Sequence, residues 1–444
     1  MLDLKYRTIL GVALPLMVSG FIQTVVYITD VSLLSRYDPS SMAFDASGNA
    51  GLYYITVFIA LVGFSDGAQI LIARRVGENK KEAVGGIFGT SLLTLGVLSL
   101  LLFFLLQTVI PQYLPKYSKS PELADAQLSF LSIRDYGLFF AAVTLSIQSF
   151  LFAIGKTWVI LLTAILMAVS NVIMDYLLIF GAGGMPEMGL EGAALASTCS
   201  DAIGMIFLLV FLIFSKSAKS FSLFKQLRFK WKAFIELVKV GSPLFFQGFV
   251  ALATWIVFFT WIGQMGMYEL TVSQNIRALY FLAFIPIGGF AGTTKTYVSQ
   301  YIGSGKLEEL KKVRRRLTML TLGFLLLFFH GALLYPEQLI SWINPEQKYL
   351  ADSAEILRFV AGSIFLYGYI SVQMHTINGS GNTRISFGIE LISVTSYLIG
   401  AYLLIKVFHK PLLWVWSVEY IYFISMGLLA MGYLKWFNWQ KKKI

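Results

Sequence analysis

The sequence contains few of the residues from which enzyme active sites and metal centres are built. It has one cysteine, Cys199, and three scattered histidines in 444 residues. A lone thiol forms no intramolecular disulfide and fits no metal-binding spacing. The sequence also has no glycine-rich phosphate loop and no nucleophile grouped with a base. We therefore expect neither a cofactor nor an enzyme activity.

Charge is scarce as well, which excludes an ordinary soluble protein. Only 13% of the residues are charged and 57% are hydrophobic, more apolar surface than a soluble fold of this size can bury. Apolar segments of about 20 residues recur, each long enough to cross a bilayer core of about 30 Å. We predict an all-α integral membrane protein with twelve transmembrane helices, at residues 8–34, 51–72, 85–110, 128–153, 158–181, 192–214, 238–262, 271–293, 317–335, 356–377, 385–407 and 412–434.

The positive charges that are present fall mainly on alternate loops. The stretches "ARRVGENKK", "SGKLEELKKVRRR" and "KWFNWQKKKI" all lie on one predicted side of the membrane, together with the N-terminus. The positive-inside rule then places both termini in the cytoplasm. The net charge of +11 is thus a topology signal, and we expect no nucleic-acid partner. The short loops favour a bacterial protein of the inner (cytoplasmic) membrane.

The two halves of the sequence resemble each other. The first predicted span opens with "GVALPLMVSGFIQ" and the seventh with "VGSPLFFQGFVA", and two further matches follow in the same order. We predict an N-terminal lobe of six helices at residues 1–215, a basic linker at 216–237 and a C-terminal lobe of six helices at 238–444. Because six is even, the lobes should be related by a pseudo-twofold axis along the membrane normal. This arrangement suits alternating access and needs no second subunit, so we expect a monomer.

Three polar residues lie at membrane depth in the first half. Asp30 is far along span 1, and Asn171 and Asp175 are one turn apart in span 5. A carboxylate in the bilayer centre costs roughly 2.5 to 3.5 kcal/mol on insertion scales, so such residues usually have a function. We predict one pocket that holds a shared proton or a sodium ion. The alternative is that Asp30 is interfacial and Asp175 reaches the outer water.

Other ionisable residues are weaker candidates. Asp66, in "GFSDGAQIL", is a candidate for ion coupling, and Asp201 and Glu390 are candidates to face a polar cavity. Arg134 and Asp135 are adjacent near the start of span 4, and we interpret them as an interfacial pair.

Prolines occupy matching positions in spans 1 and 7, at Pro15 and Pro243. A proline inside a helix removes one backbone hydrogen bond and permits a kink. A kink on the helix that carries Asp30 offers a route from protonation to movement.

Several stretches together form a recognisable pattern: "LPLMVSGFIQTVVYITD", "GFSDGAQILIARRVGENK", and "FLFAIGKTW" followed by "NVIMDYLLIFG" and "MGLEGAALAST". With this pattern, most of the chain resembles the multidrug and toxic compound extrusion (MATE) transporters. This resemblance implies two six-helix lobes and an antiporter that exports organic cations in exchange for H⁺ or Na⁺. The residues that it implies for the cation or proton site are Asp30, Asn171, Asp175, Ser197 and Thr198, and those for the substrate pocket or coupling are Gln23, Pro15, Asp66 and Gln247.

One departure from the family pattern concerns the second half. Some branches carry acidic residues on spans 7 and 10, whereas "FFQGFVALATW" and "YGYISVQMHTI" have none. Coupling should then depend on the first lobe, as in the DNA-damage-inducible (DinF-like) branch. The residues leave the choice between H⁺ and Na⁺ open.

The predicted function is secondary active multidrug efflux, with organic cations and the lipid bilayer as partners. The main rival is a flippase for a lipid-linked saccharide or lipid, which would need a strongly cationic cavity for pyrophosphate. Few Lys or Arg residues lie at membrane depth, which argues against it. A membrane-embedded transferase would need clustered His, Asp and Glu residues, which the sequence lacks, and a passive channel would use Asp175 as a selectivity element.

Overall fold

The computed structural model describes residues 1–38, 40–442 and 444, which form helices and short connections without any strand. The helices up to the middle of the chain are α1 Tyr6–Tyr37, α2 Met42–Gly77, α3 Lys81–Phe104, α4 Ile110–Tyr117, α5 Pro121–Arg134, α6 Gly137–Ala153, α7 Thr157–Ile179, α8 Gly189–Phe214 and α9 Lys216–Ser220. Those that follow are α10 Trp231–Gly263, α11 Met267–Gly303, α12 Leu310–Phe329, α13 Gly331–Leu334, α14 Pro336–Ile343, α15 Gln347–Gly379, α16 Thr383–Tyr402, α17 Leu412–Val415 and α18 Val418–Trp436. One π-helical turn, Leu105–Val109, joins α3 to α4, and another, Leu403–Val407, follows α16.

The all-α membrane fold predicted from the sequence is confirmed. Within the described residues, ten helices are long and apolar enough to cross a membrane, and α5 with α6, bent by 45°, makes an eleventh. The remaining predicted span, 317–335, covers the end of α12 and α13. The first two turns of α12 carry five basic residues, so this helix is not apolar over the length of a membrane span. Several helices are longer than the predicted spans, because they continue past the apolar core into the flanking polar segments.

The chain divides into two compact units. One consists of Met1–Ala13 and Phe246–Ile444, and the other of Leu14–Phe245. Both divisions therefore fall inside a helix, in α1 close to Pro15 and in α10 close to Pro243. The lobe boundaries predicted at residues 215 and 238 stay a prediction.

Glycines allow close helix packing in the unit Leu14–Phe245. A Cβ atom at Gly63 of α2 would lie 2.5 Å from the backbone nitrogen of Phe245, and one at Gly67 would lie 2.8 Å from the Cα atom of Gly241. Small residues let helix backbones approach closely, which is the main source of packing between apolar helices in a membrane. In the same way, a Cβ atom at Gly192 of α8 would lie 2.7 Å from the carbonyl oxygen of Leu178 on α7.

Aromatic side chains fill the core of the other unit. The Phe258 ring lies 5.2 Å from that of Tyr397 and 5.4 Å from that of Trp416, measured between centroids. All three are fully buried. Aromatic contacts of this kind hold α10, α16 and the short helix before α18 together.

The first residues of the chain belong to this unit through hydrogen bonds to α11. The Leu2 amide donates to Oε1 of Gln300 at 2.8 Å, and the Tyr297 hydroxyl donates to the carbonyl oxygen of Asp3 at 2.9 Å. Residues nearly 300 positions apart in sequence are thereby joined.

Candidate functional site

Helix α7 carries two of the predicted site residues on its buried face. Asn171 is 2% exposed and Asp175 is fully buried, whereas Val172, Ile173 and Tyr176 are exposed. Residues four positions apart lie on the same side of a helix, so the amide and the carboxyl group point the same way. The apolar residues between them form the opposite face, as expected for a helix in contact with lipid.

The structure brings Asp175 of α7 together with Asp30 of α1. The two carboxyl groups lie within hydrogen-bonding reach of each other. Both oxygens of Asp175 and Oδ1 of Asp30 are buried, and no donor group among the described residues bonds to them. A hydrogen bond between two carboxyl groups requires a proton on one of them. The pair can therefore hold a proton, or a small cation can take its place.

Asn171 extends this pair toward α8. Its Nδ2 donates to Oγ of Ser197 at 3.4 Å, a long bond, while its Oδ1 is buried without a partner in the described structure. The close approach of Gly192 to α7 brings this part of α8 within reach. Asn171 thus offers a buried oxygen one helical turn from the Asp175 carboxyl group, and oxygen atoms are the ligands that hard cations prefer.

Thr198 is oriented differently. Its hydroxyl lies 2.8 Å from the carbonyl oxygen of Ala194 and 3.3 Å from that of Ile133, so it bonds to backbone. Of the two neighbouring hydroxyl residues on α8, Ser197 is the one that contacts Asn171.

A half-buried ion pair lies beside the aspartates, and it corrects the interpretation of Arg134. Nη1 of Arg134 on α5 lies 2.7 Å from Oδ2 of Asp201 on α8, and the guanidinium lies 4.3 Å from the centre of the Tyr54 ring. The predicted pair of Arg134 with Asp135 is wrong, because neighbouring helical residues point in different directions. Asp135 is fully buried and accepts a hydrogen bond from Nε2 of Gln107 at 3.3 Å.

Arg134 is also close enough to Asp30 to attract its carboxyl group electrostatically. The candidate site therefore combines the acidic groups of Asp30, Asp175 and Asp201 with the permanent positive charge of Arg134. The position of Asp201 near the site could have been predicted from the sequence, since Ser197 and Asp201 are four residues apart and therefore lie on one face of α8.

The remaining predicted residues lie elsewhere. Gln23 is exposed on α1, Pro15 is half-buried in the same helix, and Asp66 is half-buried on α2. Gln247 belongs to the other compact unit, where its Nε2 donates to Oε2 of Glu390 at 3.3 Å. Their roles in transport stay predictions.

Comparison with models of protein families shows to which family the chain belongs. The family model MatE matches the chain twice, over residues 15–177 and 243–403, which together are more than half of its length. The chain belongs to the MatE family. The two successive matches agree with the internal repeat seen in the sequence.

Relatives of this MatE protein span its whole length. It is 26% identical over 443 residues to the "Probable multidrug resistance protein NorM" of Thermotoga maritima, covering 99% of this chain and 94% of that protein. It is 21% identical over 442 residues to the "Probable multidrug resistance protein YoeA" of Bacillus subtilis, covering 97% and 93%.

Solved structures show the same MatE fold. One, described as the "Outward-facing conformation of a multidrug resistance MATE family transporter of the MOP superfamily", matches with a TM-score of 0.87 at 18% identity, covering 98% of this chain and 97% of that one. A MOP superfamily transporter from Pyrococcus furiosus matches with a TM-score of 0.85 at 18% identity, covering 97% and 94%. These similarities establish the fold, and membership of the DinF-like branch stays a prediction.

Proposed function

We propose that the protein is a secondary active antiporter that exports organic compounds, often cationic and amphiphilic, in exchange for H⁺ or Na⁺ by alternating access. The observation that carries this proposal is the contact between the half-buried Asp30 and the buried Asp175, whose buried carboxyl oxygens receive no hydrogen bond from a donor group among the described residues. Such a pair in a membrane protein is costly unless a proton or cation neutralises it. Family membership and the names of the relatives support a drug as the exported compound.

Ion binding at the aspartate pair would shift the protein between its conformations. With a proton or Na⁺ bound, the pair is less negative, and the packing of α1 against α7 changes. A ligand shifts a conformational equilibrium only by its difference in affinity for the two states. The coupling ion and the exported compound must therefore bind best to different states, directly or through α1.

The charge distribution and the internal repeat support proposals for the membrane location, the orientation and the oligomeric state of the protein. We place it in the inner membrane of a bacterium with both termini in the cytoplasm, because the basic loops follow the positive-inside rule. A single chain contains both halves of the repeat, so we propose that the monomer is sufficient for transport.

The test uses purified protein in liposomes and a fluorescent cationic dye, with an imposed pH gradient and, separately, an imposed Na⁺ gradient. We expect one of the gradients to drive dye movement, and Asp30→Asn and Asp175→Asn each to abolish it. Asp125→Asn, which changes an exposed aspartate on α5, is the matched control and should transport normally.

Two results would contradict the proposal. Dye movement that ignores both gradients would indicate a passive channel. Gradient-driven movement that survives both aspartate substitutions would remove the pair from the coupling mechanism. If no dye moves at all, transfer of a fluorescent lipid-linked saccharide between leaflets would favour the flippase over the antiporter.

A further inference from the structure

Two glutamates in the unit that contains Phe246–Ile444 are buried without a positively charged partner. Glu390 on α16 is 3% exposed and Glu419 on α18 is 1% exposed. Neither forms an ion pair within the part of the chain that the structure describes. An unpaired buried carboxylate costs several kcal/mol. Binding a proton or a cation from solution would neutralise each carboxyl group and remove this cost.

Both carboxyl groups are held by neutral hydrogen-bond donors from several helices. Oε2 of Glu419 accepts from the Tyr280 hydroxyl at 2.7 Å, and its Oε1 accepts from the Tyr397 hydroxyl at 3.1 Å. Oε1 of Glu390 accepts a short hydrogen bond from the Tyr422 hydroxyl, and its Oε2 accepts from Gln247. All four carboxyl oxygens therefore have a partner, and helices α10, α11, α16 and α18 converge on them.

The two glutamates belong to one cluster. The Tyr397 and Tyr422 rings lie 5.8 Å apart between centroids, and Tyr422 is close enough to interact electrostatically with both carboxyl groups. Tyr367 on α15 is the further titratable group that faces Glu390.

Arg277 of α11 is a permanently charged group that packs on this aromatic core. Its guanidinium lies over the Phe259 ring, 4.9 Å from the ring centre, and neither glutamate pairs with it. The cluster is therefore surrounded by phenol, amide and aromatic groups.

The chemistry of this cluster suits a proton better than a metal ion. The surrounding side chains direct hydrogen atoms at the carboxyl oxygens, whereas a metal ion needs lone pairs directed at it. Tyr280, Tyr397 and Glu419 are packed in the aromatic core with at most 1% exposure. Among the described residues, no group of three or more His, Cys, Asp or Glu side chains is arranged to hold a metal.

Tyrosine hydroxyls also allow a carboxyl group to change its protonation state without losing its hydrogen bond. A hydroxyl donates to an ionised carboxylate, and it accepts from the acid once a proton has bound. Tyr422 at Glu390 and Tyr397 at Glu419 can both rotate their hydrogen atoms in this way.

We propose that Glu390 and Glu419, bridged by Tyr397 and Tyr422, form a second proton-binding site, separate from the Asp30–Asp175 pair. Proton binding converts a carboxylate of this cluster into a neutral carboxylic acid in place. The protonation itself is a property of the protein alone, while its use as a second coupling site rests on the proposed antiport. The sequence pointed to coupling in the first lobe alone, because spans 7 and 10 carry no acid, and this site lies instead on α16 and α18.

The test measures infrared difference spectra between acid and alkaline pH, using the full chain in lipid nanodiscs. A buried protonated carboxyl group gives a C=O band that disappears when the proton leaves. The background variant Asp30→Asn/Asp175→Asn removes the contribution of the aspartate pair. On that background we expect Glu390→Gln and Glu419→Gln each to lose one component of the titrating band.

Two further variants separate a proton site from a folding effect. Tyr422→Phe retains both carboxyl groups and most of the packing, and it should shift the Glu390 component without removing it. Glu355→Gln, at an exposed position of α15, should leave the buried band unchanged.

Two outcomes would overturn the proposal. One is a titrating band that keeps all its components in both glutamate variants. The other is a Glu390 or Glu419 band that is present at every pH, since a permanently neutral acid exchanges no proton. The spectra require no transported compound, so a failure of dye transport would count against the antiport and leave this result standing.

Discussion

Arg134 of α5 donates to Asp201 of α8 across 2.7 Å, next to the contact between Asp30 and Asp175. Arginine stays protonated at any physiological pH, so the pair is neutral as long as Asp201 is ionised. The aspartate pair therefore has a positive charge nearby that is already bonded to another acid. Arg134 can attract Asp30 electrostatically, but only in competition with Asp201.

Removing one partner of this ion pair should destabilise the protein more than removing both. Arg134→Met leaves Asp201 without its cation, and Asp201→Asn leaves a half-buried arginine without its anion. Each should cost up to about 3 kcal/mol, because an unpaired charge in a protein interior is poorly solvated. The double variant should recover part of this loss, as seen in the melting temperature of protein in detergent.

Additive losses in the double variant would contradict this expectation, since they would show that the two side chains act independently. Arg36, which lies exposed at the end of α1, provides the control through Arg36→Met.

A methyl group at Gly63 should disturb the packing of α2. The added Cβ atom would meet the backbone of Phe245 at 2.5 Å, and backbone cannot move aside as a flexible side chain can. We expect Gly63→Ala to lower stability by about 1 to 3 kcal/mol, the usual cost of overpacking. Thermal unfolding of the purified protein measures the loss.

The same helix contains the control for this substitution. A Cβ atom at Gly48 would have nothing within 4 Å, so Gly48→Ala gains helix propensity without a clash. It should leave stability unchanged or raise it by up to about 1 kcal/mol. Equal losses in both variants would mean that glycine serves here for reasons other than close packing.

Ser197 and Thr198 should differ in their effect on ion coupling. Ser197→Ala removes the acceptor for Asn171 and leaves the amide free to turn. A hydrogen bond of this kind contributes about 0.5 to 1 kcal/mol, so the apparent affinity for the coupling ion should fall by about threefold. Initial rates of dye transport against the concentration of H⁺ or Na⁺ report that affinity.

Thr198→Val is the contrasting variant, because the Thr198 hydroxyl bonds to the backbone of its own helix. Its apparent ion affinity should stay near that of the parent protein. A larger effect of Thr198→Val than of Ser197→Ala would contradict this prediction, because it would show that the Thr198 hydroxyl supports ion binding and the Ser197 hydroxyl does not.

The turn after α2 should contribute stability that depends on pH. Burial raises the pKa of Glu78, but hydrogen bonds from Lys80 and Arg75 outweigh burial and bring the pKa below its ordinary value of 4.5. Nζ of Lys80 lies 2.9 Å and Nη1 of Arg75 lies 3.0 Å from the carboxylate. Because the folded pKa is lowered, this stability is present above pH 4.5 and is lost as the pH falls through the folded pKa.

Melting temperatures of the parent protein and of Glu78→Gln, measured against pH, test this contribution. The parent should be the more stable at pH 7, by a margin that shrinks with added salt and disappears in acid. Glu82→Gln, at an exposed position of α3, should follow the parent at every pH. A margin that persists below the folded pKa would show that the ionised form of Glu78 is not its cause.

The sequence predicted the helices and the polar pocket of the first half because both depend on local patterns. Apolar length predicts a membrane helix, and a carboxylate in the middle of such a stretch predicts a buried polar contact. The approach of Asp30 to Asp175 follows, since each has few other places to bury its charge. Their role in ion coupling stays a prediction.

Contacts between distant helices were harder to predict. Arg134 was paired with its neighbour Asp135, but its partner is decided by the rotation of α5 about its own axis, which places Asp201 in reach. Glu419 gave no signal at all, because it stands at the start of α18, where an acid is usual for a solvated helix end. It is buried because Tyr280 and Tyr397 supply hydrogen bonds from helices far away in sequence.

The division of the chain inside α1 and α10 has a consequence for the order of synthesis. The segment Leu14–Phe245 is complete once residue 245 has left the ribosome, so this unit can assemble first. The segment Met1–Ala13 is made earlier still, yet its partners, such as Gln300 and Tyr297, are synthesised nearly 300 residues later. The hydrogen bonds of the first residues therefore form only after α11 has been synthesised, so the start of α1 joins its compact unit late.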